Sequence, residues 1–180
     1  MGARRNTLLG LLAMAAFVFA GAAAAEDAPS APPADTSASV VDFDGFVELT
    51  TALAPIRQER LVSLSDFNRM AAEPGTVILD TRSAEAFAMG HIDGAVHLNF
   101  SDFTDDKLAR VIPSKDTRIL IYCNNNFSDN VAPVPLKRAP LALNVPTFVN
   151  LWGYGYENIY EFADLVETSD PGVNWVAATG

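Results

Sequence analysis

Apolar positions along this chain fall into short continuous runs separated by stretches of helical spacing, and the alternation is regular from about residue 60 to residue 166. TVILD (Thr76–Asp80) and RILIY (Arg118–Tyr122) are uninterrupted and rich in β-branched residues, the pattern of strands buried on both faces. Shorter runs at 60–63, 95–98 and 158–160 predict three more strands. Helices fit the intervals. Ser65 is a candidate N-cap for one running through Ala72 and stopped by Pro74 and Gly75, and Ser83 for one ending at Met89 with Gly90 in the C′ position. A loop and helix over 100–112 closes at Pro113, and Pro146 suits the first turn of a helix to about Tyr154, with Gly155 past its end. Residues 162–166 read as a terminal helical turn. Phe43, Phe46, Leu49 and Leu53, spaced by three and four, predict an amphipathic helical extension over 40–55. Strand and helix in alternation predict an α/β domain over 56–170, with a central parallel sheet of about five short strands covered by helices on both faces and a C-terminal tail over 171–180.

The first 39 residues do not share this pattern. Arg4 and Arg5, an apolar run over 8–20 and a small-residue stretch over 21–25 make the three parts of a secretory signal, with cleavage expected after Ala25. The apolar run is short beside the ~20 residues a membrane-spanning helix needs, so no stable membrane insertion is expected after cleavage, and the paired arginines leave both general and twin-arginine export open. Residues 26–39 are Ala, Pro, Ser, Thr and acidic side chains, a flexible tether. Localisation is expected to be periplasmic or secreted. Charge narrows the partners: 12 basic against 22 acidic side chains give a formal charge of −10, and loss of the leader's arginines makes the remainder more acidic still. Nucleic acid is not an expected partner.

The chemistry turns on Cys123. It is the single cysteine, so it forms no disulfide within the chain, and it directly follows the 118–122 strand, where ligands bind in open α/β sheets. A thiol there can sit in a nest of backbone N–H groups, and Asn124, Asn125, Asn126, Phe127 and Ser128 suit such a loop because asparagine tolerates left-handed conformations. Position alone fits a buried packing cysteine equally well. With one cysteine and two histidines, His91 and His97, no metal site is expected.

VILDTRSAEAFAMGHIDGAVHLNF (77–100), ILIYC (119–123) and GYENIYEF (155–162) together resemble the rhodanese homology family, over about residues 60–166. The resemblance implies a small α/β domain in which Cys123 takes sulfane sulfur as a persulfide, cradled by Asn124 to Ser128, and passes it to a thiol or cyanide. It implies a small-molecule or protein-borne sulfur donor, a thiol acceptor and no cofactor. Asp80 and Arg82 match a charged pair in supporting positions, and His91 a loop-shaping motif. The family's loop commonly reads Cys-x-x-Gly-x-Arg, whereas Asn126 and Ser128 stand at the glycine and arginine positions here. The tight turn then falls to asparagine, and no cation lies between Asn124 and Ser128. Thiosulfate, a dianion, is therefore expected to be a poor donor unless Lys137 or Arg138, in an inserted stretch after Asp129, folds back. The insertion also opens the question of whether any helix N-terminus still meets Cys123. Two functions follow, a sulfurtransferase or a catalytically silent rhodanese-fold binding module. A cysteine phosphatase is excluded because the sixth residue after Cys123 is Asp129, which would repel phosphate.

Overall fold

The computed structural model describes residues 40–129 and 131–177, so the leader over 1–25 and the tether over 26–39 lie outside the described residues. Helix α1 (Phe43–Glu59) starts at Asp42, whose carboxylate accepts from the Gly45 amide. It continues four residues beyond the predicted end, passing through Pro55, which leaves only the Thr51 carbonyl without its helical donor. What carries the last turn is tertiary: Arg57 makes a two-point ion pair with Glu161 at 2.6 and 2.5 Å. Of the predicted apolar face only Leu53 is buried, while Phe43 is 74% exposed.

Five strands form one parallel sheet: β1 (Leu61–Val62), β2 (Thr76–Asp80), β4 (Val96–His97), β5 (Arg118–Tyr122) and β6 (Ile159–Phe162), in the order β1-β6-β5-β2-β4. The strand β5 is central, and the two-residue period splits its side chains between the faces. Ile119 and Ile121 pack with Phe148, Leu151, Leu108 and Ile112, from α5 (Asn144–Gly153) and the region of α4 (Asp105–Val111). Leu120 and Tyr122 pack with Phe67 of α2 (Leu64–Ala71), Phe127 and Phe162. Helix α3 (Ala84–Met89) is capped by Ser83, as expected.

Several local expectations differ from the structure. The cap of α2 is Ser63, not Ser65, because the Ser63 hydroxyl accepts from the Asp66 amide two residues earlier in the chain than expected. No helical turn forms over 162–166. The Asn126 amide donates to the Phe162 and Asp164 carbonyls, and Val166 instead bridges to Phe127 in parallel. A second sheet pairs β3 (Gly90–Ile92) antiparallel with β7 (Trp175–Ala177), so the segment read as a tail is part of the fold. Gly90 is extended rather than left-handed, and glycine is needed there because a Cβ would meet Trp175 Nε1 at 2.5 Å.

Candidate active site

The carboxyl ends of β2 and β5 lie side by side, with Asp80 in register with Tyr122. Arg82, just past β2, folds back on this edge. Its Nη2 donates to Asp80 Oδ2 at 2.6 Å and to the Gly90 carbonyl at 2.7 Å, and its Nη1 reaches Asn124 Oδ1 at 3.1 Å. The Tyr122 hydroxyl donates to Asp80 at 2.6 Å. Burial, reinforced by the Asp80 charge, pushes that phenol well above its ordinary pKa and keeps its proton in place. The guanidinium also lies 5.3 Å from the Trp175 ring centroid and 5.4 Å from that of Tyr122, so β7 helps to hold it. The Asp80–Arg82 pair thus contacts the loop after β5 through Asn124.

Cys123 follows β5 and is 2% exposed. Helix α5 begins at Leu143 with no side-chain cap, and the backbone N–H groups of Asn144 and Leu143, together with that of Asn125, face the sulfur. A helix N-terminus therefore does meet Cys123, although the insertion delays the helix. Burial pushes the thiol above its ordinary pKa, these three N–H groups oppose the rise, and the nearby Glu161 charge adds to it. The site is a protonated thiol facing donors arranged for an anion.

The three asparagines do different work, none of it in a left-handed conformation; among the described non-glycine residues only Asn174 has positive φ. A short 3-10 turn over Asn124–Asn126 makes the loop instead. Asn124 accepts from Arg82 and donates to the Val134 carbonyl. Asn125 clasps the backbone of Lys137. Asn126 is buried and turned away from the opening, where its Oδ1 accepts from the Cys123 amide at 2.9 Å and from Asn144 Nδ2 at 3.1 Å. Phe127 sits in the core against Tyr122 and Trp175, and Ser128 bonds to Val166 on the surface. Of the residues expected to form the cradle, Asn124 and Asn125 line the cavity with Cys123 and Leu143, while Asn126, Phe127 and Ser128 do not.

Sequence reasoning did not single out Arg57, Asn144 or Glu161. Glu161 is buried on β6, where burial raises its pKa while Arg57 and the Asn144 side chain pull it down. One carboxylate inside the apolar run IYEF was the available signal.

Above the thiol is a cavity of about 250 Å³. Arg82, Phe100, Val134, Lys137 and Leu143 are among the residues that line it with Cys123. Lys137 thus folds back to the site, while Arg138 does not line it. The charge of Arg82 is matched by Asp80, whereas among the described residues no carboxylate pairs with Lys137.

Two curated relatives are similar to part of this chain, both called tRNA uridine(34) hydroxylase. The protein of Bradyrhizobium diazoefficiens is 38% identical over 80 residues, covering 42% of this chain and 31% of that protein. The protein of Nitrobacter hamburgensis is 35% identical over 69 residues, covering 37% and 27%. The chain spans less than a third of the length of either. Among solved structures, the Alr3790 protein from Anabaena sp. is 19% identical with a TM-score of 0.41, covering 56% of this chain and 68% of that one. The family model of the rhodanese-like domain matches residues 63–163, which include every strand of the parallel sheet from β2 to β6 and the residues that line the cavity at Cys123, and the chain belongs to the rhodanese-like family.

Proposed function

We propose that this protein is a sulfurtransferase that carries sulfane sulfur as a persulfide on Cys123. The observation that carries this reading is the uncapped start of α5 closing on the thiol, so that backbone N–H groups of Leu143, Asn144 and Asn125 converge on a nucleophile at the floor of a cavity. In the first half-reaction the thiol releases its proton to solvent and the thiolate attacks the outer sulfur of the donor. The new Cys123 S–S bond forms as the donor's own S–S bond breaks, and the leaving group departs with the electron pair, as sulfite from thiosulfate or as a thiolate from an organic persulfide. In the second, an acceptor thiolate or cyanide attacks the terminal sulfur and the electron pair returns to Cys123. Electrons balance between donor and acceptor. Because the resting thiol is neutral, the N–H donors stabilise the anionic states more than the ground state, which is where such donors accelerate a reaction.

The hydroxylase activity named for the relatives belongs to proteins of which this chain spans less than a third, and the formal charge of −10 opposes a polyanionic substrate. The leader over 1–25 supports action after export, in the periplasm or outside the cell. The test of the chemistry is intact mass spectrometry after incubation with thiosulfate or glutathione persulfide. A gain of one sulfur is expected, absent in Cys123→Ser. Failure to gain sulfur from either donor would instead favour a binding module.

A further inference from the structure

Residues 131–143 pass over the thiol before α5 begins, and the two loop asparagines tie them down. Asn125 Nδ2 donates to the Lys137 carbonyl at 2.7 Å while its Oδ1 accepts from the Lys137 amide at 3.0 Å, a closed two-bond clasp on a single residue's backbone. Asn124 Nδ2 donates to the Val134 carbonyl at 2.7 Å, and Arg82 fixes the other end of that amide. The strap has little core of its own, since residues 135–141 are all exposed and its regular structure is one 3-10 turn, Ala139–Leu141. Yet Val134, Lys137 and Leu143 line the cavity together with a thiol that is 2% exposed. The cavity is partly open and holds about 250 Å³, below the ~300–1,000 Å³ usual for drug-sized ligands, and a thiol buried at this depth lies out of reach of a persulfide fixed to a folded protein's surface.

We propose that Asn125 makes the 131–143 strap a size filter over Cys123, which admits small persulfides and small thiol acceptors and excludes protein-borne ones. The identity of these substrates rests on the sulfurtransferase reading; the filter itself does not. Asn125 is then a positioning residue for the strap as well as a backbone donor to the sulfur. The apolar lining residues Val134 and Leu143 favour an organic donor, and Lys137 offers an anionic group of that donor a cation.

The test uses the full chain and compares alkylation of Cys123 by iodoacetamide with alkylation by a maleimide carrying a polyethylene glycol chain, each rate divided by that for free cysteine. The wild type should disfavour the bulky reagent by about tenfold or more. In Asn125→Ala the bulky-to-small ratio should rise by roughly tenfold, because loss of two neutral hydrogen bonds multiplies the open population by about that factor. Asn125→Ser, too short to make the clasp, stands in should the alanine variant not fold. Arg138→Ala, which touches neither clasp nor cavity, should keep the wild-type ratio. A wild-type ratio equal to that of free cysteine, or one unchanged when the clasp is removed, overturns the filter. Sulfur loading separates the two claims. If a persulfidated protein loads Cys123 as fast as glutathione persulfide does, the filter falls and the sulfurtransferase reading stands. If neither loads it while the alkylation ratio behaves as stated, the reading falls and the filter stands.

Discussion

The Arg82 guanidinium donates to the Asn124 side chain at 3.1 Å, linking the segment after β2 to the residue beside the nucleophile. Its remaining side-chain hydrogen bonds are to Asp80 and Gly90, both buried, so this cation is a clamp on the loop rather than a free charge for substrate. Removing it would leave Asp80 charged, buried and unpaired. Arg82→Ala should lower the unfolding free energy by roughly 3–5 kcal/mol, read from urea denaturation. A loss below about 1 kcal/mol, the range of an exposed pair, would show that the clamp does not hold the fold.

Lys137 lines the cavity at Cys123, and under the proposed function it is the cation offered to an anionic donor. With no cation in the 124–128 loop, weak use of thiosulfate is expected, and Lys137 is a cation that the loop itself lacks. A charge-assisted hydrogen bond contributes about 1.5–3 kcal/mol, and the lower end applies to an exposed lysine. Lys137→Ala should therefore slow single-turnover loading from thiosulfate by about tenfold and loading from an uncharged persulfide by much less. Equal losses with both donors would remove Lys137 from donor recognition.

The pH dependence of Cys123 has a definite sign. Burial raises its pKa above the ordinary thiol value, so alkylation by iodoacetamide should still be climbing at about pH 10, where an unperturbed thiol has levelled off. The folded state holds this proton more tightly than the unfolded chain does. The stability so contributed is present in full below the unfolded pKa of about 8.5 and is lost as pH rises from there through the folded value. Glu161→Gln removes a negative charge that adds to the rise, so its alkylation profile should move to lower pH. An unmoved profile would show that the Glu161 charge does not reach the sulfur.

Export is checked separately. N-terminal sequencing of periplasmic material should find a chain starting at or near Glu26, and an intact 1–25 segment in the membrane fraction would contradict it.

How much was legible differs from residue to residue. Strands β2 and β5 occupy the ranges their apolar runs predict, and Ser83 caps α3 as expected, because burial on both sheet faces and a cap hydrogen bond are written within a few neighbouring residues. Cys123 at the carboxyl end of an inner strand follows from the same local information. The cap of α2 was misplaced by two residues because Ser63 and Ser65 are equally suitable in isolation, and only the chain's exit from β1 chooses between them. The alternation of runs by itself determined an α/β domain with its one thiol beyond the sheet's edge. Tertiary structure alone decided that α5 returns its N–H groups to that thiol after the insertion, that Arg57 meets Glu161 across 104 residues, that Asn125 clasps Lys137, and that Trp175 packs over Gly90 and Arg82. These are single contacts between distant segments. They arise from how buried polar groups find partners once the sheet has formed, and no local period or propensity encodes them.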